Sequence, residues 1–142
     1  MSIIFSVKTI QRPFDFSIID IKAPFACFLY SSQNDLTHSE MMSVANWLVS
    51  SGCSEVICAG SRCSEWHNEI DSADIIHNSS TKIPVTTALR EDDAAEVIIW
   101  HWLEIIRFQD IIFENCLGLL IGSSSEIEGK VLTAFKNNPF SL

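Results

Sequence analysis

At 142 residues, with 47% hydrophobic and 19% charged residues, the chain has the composition of an ordered protein, and one domain of this size buries roughly 70% of its unfolded surface. A formal net charge of −9, with only 9 Lys and Arg in all, excludes the clustered basic patch that nucleic-acid phosphates require. It favours solubility or a basic partner.

The N-terminal runs IIFSVKTI and FDFSIID, within residues 1–24, read as a hairpin or an edge strand added to a core at residues 25–136. They lack the basic start, apolar stretch and small-residue cleavage site of a secretory leader, so a cytoplasmic location is expected. The first core strand is FACFLYS, Phe25 to Ser31, a near-continuous apolar run suited to burial on both faces. A helix start follows: Thr37 as N-cap, Glu40 completing a capping box, and Leu36 stapling against Met41. Met41, Val44, Ala45 and Leu48 then recur at helical spacing until Gly52 stops the helix.

CSEVICAG, Cys53 to Gly60, is the second strand, and Ser61 caps a helix from Arg62 to about Asp71. Asn78 to Lys82 is a loop, and the β-branched Ile83 to Leu89 is the third strand. Asp93 with Glu96 forms another capping box, opening a helix to about Phe108 that is apolar on most sides and therefore expected to be deeply packed. His101, Glu104 and Arg107 interrupt this run, well short of the roughly 20 apolar residues of a membrane span. In its WHW segment, Trp100 to Trp102, two rings are expected in the core and His101 outside. NCLGLLIG is the fourth strand, and the last helix starts at one of Ser123 to Ser125, with Ser125 and Glu128 as the best-fitting box.

Alternating strands and helices predict an α/β fold with a mainly parallel sheet. The simplest form is a single three-layer domain, its four strands ordered 2-1-3-4 with helices on both faces, because crossovers are right-handed. Ligands in such folds bind at the carboxyl ends of the strands where the winding reverses. With that order the reversal falls between strands one and three, selecting the loop with Asn34 and Asp35 and the loop with Arg90, Glu91, Asp92 and Asp93. Ser123 and Ser124 lie on the same edge. The clustered carboxylates suit a metal, acid–base chemistry or a partner's basic side chains, or simply the positive end of the following helix.

Cys63 and His67 are the candidate catalytic pair. Cys63 sits in a first helical turn, where the dipole favours a thiolate, and His67 projects from the same face one turn on. No orienting group or oxyanion-hole signature surrounds them, so a buried thiol and a structural histidine is the preferred reading. Cys53, Cys58 and Cys63 have the wrong spacing for zinc, and Cys53 and Cys58 are expected on opposite faces of their strand. The 5 cysteines read as reduced thiols in a chain that folds without staples. Arg62 beside the helix start suits an anion, although GSRCS is neither a Walker loop nor a dinucleotide fingerprint. No metal or cofactor is implied.

The pattern Gly60-x-x-Cys63-x-x-x-His67, with Cys53 before it and Asp71 and Ala73-Asp74 after it, resembles an uncharacterised bacterial family of small α/β domains. Thr86-Thr87 followed by the acidic helix start Glu91 to Glu96 matches the same family. The likeness spans about residues 25 to 136 and brings no activity with it. This chain departs from the family pattern at Arg62, Asn68 and Ala88-Leu89. Two functions remain: a non-enzymatic interaction protein of the immunity or antitoxin type, masking a basic partner, or a small-molecule site or hydrolase, for a nucleotide or other phosphorylated ligand, at the sheet's carboxyl edge. Small size, acidity and the missing catalytic set favour the first.

Overall fold

The structure, a computed structural model, describes residues 3–77, 83–88, 94–108, 113–138 and 140. In chain order the elements are β1 (Ile4–Ile10), β2 (Phe25–Ser31), α1 (His38–Ser50), β3 (Cys53–Gly60), α2 (Cys63–His77), β4 (Val85–Thr87), α3 (Ala95–Arg107), β5 (Asn115–Ile121) and α4 (Ser125–Lys136), with a 3-10 turn at Phe16–Ile18. The fold is α/β, and every strand pair is parallel.

The sheet has five strands in the order β1-β5-β2-β3-β4, which corrects the expected four strands and their order. Right-handed crossovers allow both arrangements, so handedness does not decide between them. Apolarity does: β2 and β5 are buried along nearly their whole length and take the interior, whereas Val85, Thr86 and Thr87 are half-buried or exposed and take an edge. The N-terminal segment supplies the other edge, with Ile4 opposite Asn115 and Ile10 opposite Ile121. It forms no hairpin; FDFSIID holds the 3-10 turn.

Local chemistry explains where the helices begin. Thr37 Oγ1 accepts the Glu40 N–H at 3.1 Å while Glu40 Oε1 accepts the Thr37 N–H at 2.8 Å, the reciprocal capping box that satisfies two orphan donors. Ser124, rather than Ser125, caps α4 by accepting the Ile127 N–H. Arg62 sits at φ 59°, outside the helical region, so α2 starts at Cys63, and it runs on to His77. The N-cap of α3 is Ala94, which makes no side-chain cap bond; Asp93 lies outside the described residues, as do Asn78 to Lys82.

Two cores flank the sheet. On one face Met41, Val44, Leu48, Trp66 and Ile70 of α1 and α2 cover Phe25, Cys27 and Leu29. On the other, Ile99, Trp102, Leu103, Val131 and Phe135 of α3 and α4 cover Ala26, Phe28 and Leu120. Cys53 and Cys58 lie in the same core, not on opposite faces. The register slips between Phe25 and Ala26, so that Cys53 and Glu55 oppose consecutive residues of β2, and the extra residue resets the strand's alternation.

Candidate functional site

The observed strand order moves the winding reversal to the crevice between β2 and β5. There the structure brings two of the expected loops together and closes them on each other. Ser32 Oγ meets Ser123 Oγ at 3.2 Å, and the Ser32 N–H donates to Ile121 C=O at 3.0 Å. Gln33 packs onto Gly122, which stands at φ 64°. Asp35 is held by Arg12 at 2.6 Å, Ser124 is occupied as a helix cap, and Asn34 is simply exposed. Arg90, Glu91, Asp92 and Asp93 lie outside the described residues. They follow β4, which β3 separates from β2.

Cys63 and His67 do not form a pair. Cys63 is buried and its thiol donates to Ala88 C=O at 3.3 Å. His67 instead bridges two other groups: Nδ1 meets Thr87 Oγ1, and Nε2 lies 3.2 Å from Asp71 Oδ2. The two stretches singled out by family likeness therefore meet in space, α2 carrying Cys63, His67 and Asp71, and β4 carrying Thr87. Asp74, 2% exposed, accepts the Ile83 N–H at 2.7 Å. Arg62 is not an anion clamp, because Glu65 takes Nε and Nη2 while Leu36 C=O takes Nη1.

The 5 cysteines are all buried free thiols. Burial pushes the Cys53 thiol up to about 12 and those of Cys27, Cys58 and Cys116 upward as well. Such thiols are packing groups and not nucleophiles. Among the described residues no group of three or more His, Cys, Asp or Glu is placed to hold a metal ion. No helix among them is long and apolar enough to cross a membrane.

The largest departure from expectation is α3, which is not deeply packed on all sides. It buries Ala95, Ile98, Ile99, Trp102, Leu103 and Ile106, while Val97, Trp100, Ile105 and Phe108 are exposed, Phe108 to 81%. Trp102 is thus in the core and Trp100 is not. Spaced at three and four residues, Val97, His101, Ile105 and Phe108 form one ridge along the helix.

A cleft of about 400 Å³ runs beside this ridge, between α3 and the β3–β4 edge, with Glu55, Ile57, Thr86, His101, Trp102 and Ile105 among its walls. A second, of about 470 Å³, separates α3 from α4 and includes Glu96, Trp100 and Thr133. Each cleft has one carboxylate in its lining, Glu55 in the first and Glu96 in the second. Desolvation raises the Glu55 carboxyl above its ordinary value. Glu96 Oε2 is buried without a hydrogen-bond partner among the described residues. Sequence reading passes over Glu55, which interrupts an apolar run, and takes Glu96 only as a helix-capping residue.

The protein is thus a three-layer α/β fold with a parallel sheet, a closed switch point, and an exposed apolar ridge on α3. The chain belongs to the family described as a domain of unknown function, DUF7684, which matches residues 7–138. No curated protein and no solved structure matches it.

Proposed function

We propose that the protein is an interaction module of the immunity or antitoxin type, which uses the outer face of α3 to cover a basic surface on a partner protein. The observation that carries this reading is the exposed ridge Val97, His101, Ile105 and Phe108 with Trp100 beside it, bordered by the cleft of Glu55 on one side and that of Glu96 on the other. An apolar strip bordered by acids complements an apolar surface bordered by Lys or Arg. The cleft at Glu55 suits one such side chain in particular. Its walls are mostly hydrophobic, matching the aliphatic stem of arginine or lysine, and its carboxylate meets the charged head.

The net charge of −9 acts in the same direction over a longer range, steering a basic partner toward the surface. Each acid is costly to bury alone and becomes favourable once a cation is paired with it, which makes partner recognition selective. The test is affinity purification of the tagged protein from its native host, in parallel with Ile105→Glu and Glu55→Gln. One stoichiometric basic protein, recovered with the wild type and lost with both variants, supports the reading. Its equal recovery with both variants places the interface elsewhere.

A further inference from the structure

A second site stands on the opposite face of the sheet and on different residues. His67 has its two ring nitrogens turned to two different partners, the Thr87 hydroxyl at Nδ1 and the Asp71 carboxylate at Nε2. In the neutral ring, an Nε2–H donated to the Asp71 carboxylate leaves Nδ1 as the acceptor of the Thr87 hydroxyl proton. The result is a hydroxyl–imidazole–carboxylate relay, the arrangement that turns an alcohol into a nucleophile. From this geometry we infer a hydrolytic site in which Thr87 is the nucleophile, His67 the general base and Asp71 the group that orients the ring.

The placement suits that chemistry. Thr87 closes β4 at its carboxyl end, and the His67 and Asp71 side chains are 31% and 28% exposed, so a substrate can reach them. Asp71 Oδ1 is buried without a hydrogen-bond partner among the described residues, leaving its charge available to an imidazolium. The start of α2 is pinned beside Thr87 by the bond from Cys63 Sγ to Ala88 C=O. The Trp66 N–H donates to Arg62 C=O, so the first turn of α2, whose amides lie beyond the helical ladder and suit an oxyanion, lies at this end of β4.

The substrate class follows from charge. Among the described residues the nearby cation, Arg62, is already committed to Glu65 and Leu36 C=O, and the Asp71 carboxylate disfavours a phosphoryl anion beside it. An uncharged carboxylic ester fits. Thr87 Oγ1 attacks the ester carbonyl, its proton passing to His67 Nδ1 as the Oγ1–carbon bond forms. The carbon–alkoxy bond then breaks and the leaving alcohol takes that proton. Water attacks the acyl-threonine, giving a proton to Nδ1; the carbon–Oγ1 bond then breaks, the carboxylic acid departs and Thr87 Oγ1 takes that proton from Nδ1.

The experiment uses the full chain with p-nitrophenyl acetate and p-nitrophenyl butyrate as substrates and a fluorophosphonate as covalent probe, with the adduct mapped by peptide mass spectrometry. Circular dichroism checks the folding of every variant. The expected result is turnover by the wild type and an adduct on Thr87. Turnover should fall at least about 100-fold in Thr87→Val and His67→Gln and be retained in Thr87→Ser. No turnover and no adduct in the folded wild type, or turnover undiminished in folded Thr87→Val, would overturn the assignment and leave the relay as a clasp between α2 and β4.

Discussion

Gln33 lies so close to Gly122 that a Cβ on the glycine would sit 2.4 Å from Gln33 Cγ. This contact seals the crevice where a ligand of an open α/β sheet is ordinarily found, and it directs attention to the outer surfaces of the fold. Gly122 also stands at φ 64°, so Gly122→Ala is expected to cost about 1–3 kcal/mol. Removing the Gln33 side chain as well should return only part of that. Gly60→Ala should cost more, because there the added atom would meet the backbone oxygen of Ser31 at 2.4 Å at a φ of 81°, and a central strand cannot step aside. Urea unfolding of the two single variants and the Gln33→Ala double variant ranks the effects.

Glu55 should make the protein less stable as pH rises. Burial lifts its carboxyl above the ordinary value of 4.5 in the folded state, so the native protein holds the proton more tightly than the unfolded chain. Its stabilising contribution is complete below that ordinary value and is lost as pH rises through the raised one. Glu55→Gln should therefore unfold at a higher temperature than the wild type at neutral pH, and the difference should shrink toward about pH 4. A stabilising change that abolishes partner binding is the signature of a residue kept for function. Thermal melts at a series of pH values check the sign.

Asp74→Ala is expected to lower stability by about 2–4 kcal/mol. The carboxylate is 2% exposed and accepts the Ile83 N–H at 2.7 Å. The substitution leaves that amide without its acceptor at the entry to β4. Chemical denaturation measures the loss, and Asp74→Asn, which keeps an acceptor oxygen, should recover part of it.

The native protein should resist DTNB at pH 8. All 5 thiols are buried, and Cys53 has its ionisation pushed up to about 12, so thiolate is scarce as well as inaccessible. Reaction at all five should appear only with unfolding in guanidinium. A fast-reacting thiol in native buffer would show that one cysteine is less enclosed than its packing indicates.

Much of the architecture was legible in local chemistry. The run Phe25 to Ser31 announced a buried strand, and Thr37 with Glu40 announced the start of α1, because both signals depend on neighbours in sequence. Strand order was less accessible, since it turns on a comparison between distant segments: the polar Val85 to Thr87 against the apolar Asn115 to Ile121. The bulge that puts Cys53 and Cys58 in one core was hidden because strand alternation assumes an unbroken register. His67 was visible as a candidate, but Thr87 was not recognised as its partner, because that contact is made only when α2 folds back along β4. The ridge on α3 was misread for a more general reason. Helical periodicity marks residues that avoid water, and it does not say whether the cover is this chain or another.

The most direct measurement for the docking role of α3 is site-specific photo-crosslinking in the native host. A p-benzoylphenylalanine is placed at Ile105, on the ridge, and separately at Ile75, which is equally apolar and exposed but belongs to α2. The account predicts one basic protein crosslinked through position 105, absent through position 75, and lost from position 105 when Glu55→Gln is added. Equal crosslinking through both positions, or a partner with no basic surface, would contradict it.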